Sequence, residues 1–282
     1  MIIHNTSDSI QRALLPFFKK NKSIGFVPTM GALHMGHISL VEKASIENDC
    51  VVVSIFVNPT QFNNSQDLEK YPRSFKDDVK ILEDLKSNIF VFAPEVSNIY
   101  ANKIISKKYR FSGLENEMEG KHRKGHFEGV GTVLNILFRI VKPNKAYFGE
   151  KDFQQLQVIK KLVEIEKLPI TILGCSIIRE ENGLAMSSRN KLLTKIQFNE
   201  ASLIYKTLSE IQQNFKVYSI SKLNNIVKER FKNRNLLKLE YFEIANIKTL
   251  KTVKRKRNNN TYRAFIAVFL GKVRLIDNIM LN

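Results

Sequence analysis

Two histidines three residues apart, His34 and His37, stand in the stretch Pro28-Thr29-Met30-Gly31-Ala32-Leu33-His34-Met35-Gly36-His37. An apolar run, Ile24-Gly25-Phe26-Val27, precedes it, and the amphipathic segment Ile38-Ser39-Leu40-Val41-Glu42-Lys43-Ala44 follows. That order of apolar run, glycine-bearing turn and helix start aims open backbone N–H groups and two imidazoles at one region. The positive end of the helix dipole adds to the attraction, so the chemistry is anion binding, as for a triphosphate. Gly31 and Gly36 carry no Cβ to keep a ligand from the backbone. The histidine pair alone suits a satisfied structural role equally well. Zinc is disfavoured, because there is no His-Glu-x-x-His pattern and only five histidines and two cysteines are available as ligands.

Four more segments gather polar residues at strand ends or in loops. Asn58 and Gln61 end an apolar run, and their amides suit hydroxyls and a carboxylate, although a plain turn at Asn58-Pro59 explains them as well. In Tyr147-Phe148-Gly149-Glu150-Lys151-Asp152 an apolar strand again meets glycine, charge and a helix start. A lysine opposes the dipole there unless an anion neutralises it, which favours a phosphate near Lys151. Met186-Ser187-Ser188-Arg189 offers hydroxyls and a guanidinium for phosphates, in a pattern also common in ordinary loops. The basic stretch 119–127, with Arg123 and His126, reads equally as a solvated turn. No Walker sequence, Gly-x-Gly-x-x-Gly or Gly-x-Ser-x-Gly appears. Cations and amides without a covalent nucleophile fit a reaction in which a carboxylate attacks ATP phosphorus, and the protein orients and neutralises charge.

Elements that could position these groups follow from periodicity. Nearly continuous apolar runs at 24–27, 51–57, 89–92, 146–148 and 170–173 predict strands buried on both faces. Helical patterns at 38–47, 77–86, 130–141 and 153–167 alternate with them, and Pro143 and Pro169 stop the last two. The fold class is therefore α/β, with a parallel Rossmann-like sheet. Beyond about 178 the pattern changes to two amphipathic helices, 195–216 and 219–232, and then strands at 237–244, 262–270 and 273–276. A hairpin is expected at Gly271-Lys272. Residues 1–177 thus read as a catalytic domain and 178–282 as a smaller α+β domain carrying the Ser-Ser-Arg loop.

At 282 residues with 43% hydrophobic content, the chain can bury a substantial core, which excludes a disordered polypeptide. Cys50 and Cys175 lie in apolar runs and suggest no disulfide, so a reducing cytoplasmic setting is expected. No signal peptide or membrane-length apolar run is seen in the sequence. The net charge of +18, densest at 251–257, invites a nucleic-acid reading, but the lysines are spread over the whole chain and fit a solvated surface better.

Taken together, the segments resemble the pantoate–β-alanine ligase family, within the HIGH-motif nucleotidyltransferases. The likeness covers 27–37, 52–61, Tyr71-Pro72-Arg73, Gly125-His126-Phe127, 148–155, 183–189 and Arg274-Leu275-Ile276-Asp277-Asn278. It implies that pantoate attacks the α-phosphorus of ATP, giving a pantoyl adenylate that the amine of β-alanine then captures. Magnesium accompanies the triphosphate, no protein metal ligand is implied, and relatives are usually homodimers.

By matching position, the resemblance implies catalytic roles for His37, His34 and Lys151, with His37 where the family has a proton donor. ATP is expected against Met30, Gly31, Ala32, Leu33, His34, Met35, Gly36 and His37. Its other side is expected to meet Gly149, Glu150, Lys151, Asp152, Ile178, Met186, Ser187, Ser188 and Arg189. Pantoate and β-alanine are expected at Gln61 and Gln155, with Asn58, Tyr71, Arg123 and His126 lining the site. Thr60 replaces a common methionine, Met35 a polar residue, and Lys121-His122 makes its loop more basic than usual. A nucleotidyltransferase acting on a phosphorylated acceptor would call for more cations beside Gln61 and Gln155. A nucleic-acid module would call for basic residues on one face and steep salt dependence.

Overall fold

A strand covered on both faces has no polar side to display, which is why the apolar runs assemble into a parallel sheet. The computed structural model describes residues 2–85, 87–100 and 103–282. In it, β1 (Ile2–His4) leads into α1 (Ser7–Lys19), and β2 (Ile24–Thr29) into α2 (Met35–Glu47). After β3 (Cys50–Ile55) come α3 (Ser65–Glu69), α4 (Phe75–Glu83), β4 (Ile89–Phe92) and α5 (Val96–Tyr100). The chain then runs through α6 (Met118–His122), α7 (His126–Val141), β5 (Lys145–Gly149), α8 (Phe153–Ile165) and β6 (Thr171–Cys175).

All pairings in this sheet are parallel, in the order β1-β4-β3-β2-β5-β6. From β2 the chain moves through β3 and β4 towards one edge, then crosses back to place β5 and β6 on the other side. Open α/β sheets bind ligands at such a reversal, beyond the C-terminal strand ends. The segments after β2, β3, β5 and β6 carry His34, Asn58, Lys151 and Ile178 respectively. Alternation along the strands serves two cores. Phe26, Val52 and Phe148 pack with α7 and α8, while Val27, Val51 and Tyr147 pack with the α2 side. Each such buried side chain contributes roughly 1.5–3 kcal/mol relative to exposure.

The remainder forms α9 (Lys195–Asn214), α10 (Ile220–Phe231) and the antiparallel sheet β7 (Leu237–Asn246), β8 (Tyr262–Leu270), β9 (Val273–Met280). Thr194 and Gln197 cap the start of α9 reciprocally, and Ser219 caps α10. One sheet face buries Ile266 and Val268 against Ala201, Leu208 and Ile211. From the other, Phe265 reaches Phe153 of α8 at 6.1 Å, so the antiparallel sheet leans on the parallel half. Leu270 pairs with Val273 across the expected hairpin.

Several features depart from the sequence reading: the short helices α3, α5 and α6 are absent from it, and α7, expected from 130, begins at His126. The edge strand β1 and the helix α1 have no counterpart in it: β1 is three residues long, and α1 contains Pro16. Pro16 is exposed, so the Arg12 carbonyl it leaves without an intrahelical donor can turn to water. The helix expected from 38 begins at Met35, because His34 caps it. The helix expected at 77–86 runs Phe75–Glu83, and its expected last residue, 86, lies outside the described residues.

One buried acid shapes the turn after β2. Asp78 of α4 is 1% exposed and accepts from the N–H groups of Ala32 and Leu33, at 2.9 and 2.8 Å, and from the Ser74 hydroxyl at 3.1 Å. Gly31 stands at φ +77°, where a Cβ would lie 3.0 Å from Asp78 Oδ2. Asp78→Ala strips two buried donors of their acceptor and is expected to cost about 2–4 kcal/mol in denaturant unfolding. Asp78→Asn, which keeps one acceptor oxygen, should lose less. Equal stability of all three proteins would show that the turn is held by something else.

Candidate active site

The strand ends open onto a cavity of about 240 Å³. Met30, His34, Gly36 and His37 form the wall from the β2–α2 turn, and Asn58, Gln61 and Tyr71 face them from the segment after β3. Arg123 and His126 come from the α6–α7 junction, and Gly149, Lys151, Asp152 and Gln155 from the β5–α8 turn. Ile178, Met186, Ser187, Ser188 and Arg189 close the remaining side. Five expected residues do not reach this wall. Gly31, Ala32 and Leu33 are spent on the turn, and Met35 is 56% exposed. Glu150 turns its carboxylate to Arg263 at 3.0 Å.

The two histidines are organised by the helix they start. His34 is the N-cap of α2, and its Nδ1 accepts from the Gly36 N–H at 3.1 Å. His37 Nδ1 accepts from the His34 N–H at 3.4 Å, completing a reciprocal capping box. A Cβ on Gly36 would lie 2.8 Å from His34 Cε1, so only glycine allows this fold-back. The His37 N–H donates to the His34 carbonyl at 2.7 Å. These N–H groups are therefore engaged within the protein, unlike the open donors the sequence suggested. Imidazoles carry the donor role instead. With each Nδ1 accepting, the neutral rings hold their proton on Nε2.

Both rings resist protonation. Burial, then the charges of Lys151 and Lys191, lowers the His34 pKa to about 4. Burial, then His34 and Lys151, brings His37 to about 3. The ring centroids are 4.1 Å apart, so two imidazoliums would repel strongly. Near neutral pH the pair consists of uncharged donors.

On the facing wall, Asn58 is 1% exposed and accepts from the Tyr100 hydroxyl at 2.5 Å while donating to Gln61 Oε1 at 3.0 Å. Among the described residues Gln61 Nε2 meets only the Met30 sulfur, at 3.1 Å, a weak acceptor that leaves an amide donor for a ligand. His126 Nδ1 donates to the Gln61 carbonyl at 2.9 Å, and its Nε2 accepts from Arg123 at 3.1 Å. Beside these groups Val130, Val133 and Leu134 of α7 make an apolar wall. That stripe, at helical spacing, looks like ordinary core in the sequence.

Lys151 Nζ lies 3.4 Å from the Asp152 carboxylate. Its turn is braced by residues from β8 and β9 to which the sequence reading assigned no part. Asn278 donates its amide to the carbonyls of Glu150 and Lys151, at 2.9 and 2.8 Å. Arg263 bonds both Asn278 and Glu150, and Asp277 pairs with Arg179 at 2.6 Å. Arg274 in turn holds the buried Glu119 at 2.7 Å. On the closing loop, Ser188 donates to the Ala32 carbonyl at 3.0 Å, and Arg189 pairs with Asp67 at 2.7 Å.

Burial, then Arg123, lowers the His126 pKa to about 3. Between that value and the ordinary 6.5 the unfolded chain binds a proton that native His126 refuses, so stability rises with pH across this window. The contribution is complete above about pH 6.5 and is lost as pH falls, at about 1.4 kcal/mol per pH unit. Denaturant melts at pH 7 and 5 should show the loss, and His126→Asn should make it smaller. An unchanged pH dependence in that variant would contradict a neutral buried His126.

Comparison with known proteins gives the family. The family model described as pantoate-beta-alanine ligase matches residues 2–280. The pantothenate synthetase of Flavobacterium psychrophilum is 52% identical over 282 residues, covering 100% of both chains. That of Christiangramia forsetii is 54% identical over 261 residues, 93% of this chain and 92% of the relative. A pantothenate synthetase structure from Thermus thermophilus superposes with a TM-score of 0.92 at 35% identity, covering 100% of this chain and 99% of that one. A pantoate-beta-alanine ligase structure from Francisella tularensis, complexed with beta-gamma ATP and beta-alanine, gives 0.81 at 39% identity, covering 100% and 98%. With an α/β fold, a cleft at the strand reversal and relatives matched from end to end, the chain belongs to the pantoate-beta-alanine ligase family.

Proposed function

We propose that the cleft joins pantoate to β-alanine by way of a pantoyl adenylate. The observation that carries this is the pairing of two unlike walls across one cavity. On one side stand phosphate-directed groups, His34, His37, Lys151, Ser187, Ser188 and Arg189. On the other, the amides of Gln61, held in place by the buried Asn58, and of Gln155 adjoin the apolar side chains of α7, suiting a small branched hydroxy acid. No cysteine is needed as nucleophile, and Cys50 and Cys175 are buried away from the cavity.

In the first step a pantoate carboxylate oxygen attacks the α-phosphorus, the bond to the bridging oxygen breaks, and pyrophosphate leaves with the electron pair. Lys151 and Arg189 neutralise the charge gathering on the phosphates, and the two imidazole N–H groups donate hydrogen bonds to them. Donors already held in place cost no reorganisation at the transition state. In the second step the β-alanine nitrogen, as free amine, attacks the acyl carbon and displaces AMP. The amine loses one proton as the amide forms. Because His37 already bears a proton on Nε2 and resists a second, it acts as a hydrogen-bond donor to phosphate rather than as an acid cycling through imidazolium.

Magnesium enters this reading with the triphosphate. Asp152 is the one carboxylate among the described residues lining the cleft, and a magnesium ion shared with phosphate commonly takes only one or two protein carboxylates. Asp152 would hold the ion, which supplies further neutralisation of phosphate charge. The same reading places the enzyme in the cytoplasm, within the HIGH-motif superfamily, and as a homodimer. The apolar Ile2, 65% exposed on the edge strand β1, supports a covered edge. It also divides the chain into a catalytic unit, 1–177, and a smaller unit, 178–282, whose loop supplies Ser187, Ser188 and Arg189. Among the described residues no helix is long and apolar enough to cross a membrane.

Labelled pyrophosphate exchanging into ATP tests the first step. Exchange should require pantoate, proceed without β-alanine, and fall about 100- to 1000-fold in His37→Ala or Lys151→Ala. Folded protein that shows neither this exchange nor pantothenate formation would contradict the assignment.

A further inference from the structure

The guanidinium of Arg189 already has an anion. Its Nε and Nη2 reach the two carboxylate oxygens of Asp67, which does not line the cleft, at 3.2 and 2.7 Å, a two-point contact. The buried Tyr71 ring lies beneath, 5.3 Å from the guanidinium carbon. Planar forks of this kind accept carboxylate and phosphate oxygens alike.

This pair differs from the other arginine contacts around the site. Arg179 holds Asp277, whose side chain is 1% exposed, and Arg274 holds Glu119, whose side chain is 9% exposed. Those pairs are built into the body of the protein. The Asp67 and Arg189 side chains, in contrast, are 39% and 24% exposed. Asp67 sits on α3, a five-residue helix with no buried residue. Little apolar packing anchors α3, so the ion pair is a main tie between it and the Ser-Ser-Arg loop. Three residues, 62–64, separate α3 from the turn that carries Gln61.

We propose that Asp67 is the resident counter-ion of Arg189, occupying the guanidinium until a triphosphate displaces it. The proposal rests on the phosphate-binding reading of this cleft. Two anions competing for one fork repel each other, so nucleotide binding exchanges one ion pair for another. The Ser-Ser-Arg loop then tightens on the phosphates, and α3 is released. Asp67 is in this account a positioning residue: it keeps the loop folded over the empty nucleotide site and weakens triphosphate binding by the strength of the pair it forms.

Calorimetry with β,γ-imido ATP, without pantoate, tests the exchange on the full chain. An exposed to half-buried ion pair is worth up to about 1 kcal/mol, so Asp67→Asn should tighten the triphosphate about two- to five-fold. Adenosine, which has no phosphate to compete, should bind both proteins equally. In an Arg189→Ala background the Asp67→Asn gain should vanish. Hydrogen exchange adds a second readout: the nucleotide should speed amide exchange at 65–70 while slowing it at 187–192 in the wild type. In Asp67→Asn, residues 65–70 should exchange fast from the start. Unchanged or weaker triphosphate binding in Asp67→Asn would overturn the proposal, as would a gain that survives in Arg189→Ala or a wild type that binds no triphosphate. None of these measurements needs turnover. Nucleotide exchange at Arg189 in a protein without pantoate-dependent chemistry would sink the ligation reading and leave this one standing.

Discussion

The site depends on a helix capped by histidine. An N-cap is usually a short oxygen side chain, because the acceptor must reach back to the next N–H groups. Here the His34 Nδ1 does so, and the His37 Nδ1 returns the favour to the His34 N–H. That one exchange fixes two properties together, where the rings stand and which nitrogen bears the proton, while burial and the neighbouring positive charge keep either ring from charging readily. Asp78 supports it from behind by holding the N–H groups of Ala32 and Leu33. The helix start thus satisfies its own donors and presents the outer nitrogens of two imidazoles to the cleft in place of bare backbone.

Fixed positive charge comes from elsewhere, and each cation has an internal partner. Lys151 lies by Asp152, Arg189 by Asp67, and Arg123 within 3.6 Å of Glu119. Neutral donors combined with paired cations form a site that can accept a highly charged nucleotide without strong self-repulsion when empty. The antiparallel sheet has a share in this beyond covering the core. Asn278, Arg263, Asp277 and Arg274 reach across to the turn of Lys151, the loop before Ser187 and the helix bearing Glu119.

Much of the framework was legible in the sequence because burial on two faces leaves an unbroken apolar signature, as at β2, β3 and β4. The hairpin of β8 and β9 was legible through its turn. The N-terminal elements were not: β1 has too few residues to show a period, and α1 hides behind Pro16. At the site, residue types on loops after strands were readable, hence His34, Lys151 and Arg189. Their partners were not. Asp78 looks like an ordinary acid in the first turn of a helix, and Asp67 like surface charge, since nothing local to either shows what it meets across the fold. Asn278 stands in the stretch that carries the family likeness, but it and Arg263 lie more than 100 residues from the turn they brace, so only the packing of β8 and β9 against the parallel half reveals that role. The tautomer of the histidines is a matter of geometry and has no sequence signature.

Imidazole nitrogen chemical shifts of His34 and His37, followed by NMR from pH 8 to pH 4, test the central claim most directly. Both rings should report the neutral form protonated on Nε2 at pH 7, and neither should begin to titrate until well below pH 6, consistent with pKa values lowered to about 4 and 3. A ring protonated on Nδ1, or a titration midpoint near 6.5, would contradict the capped, uncharged pair on which this account of the cleft is built.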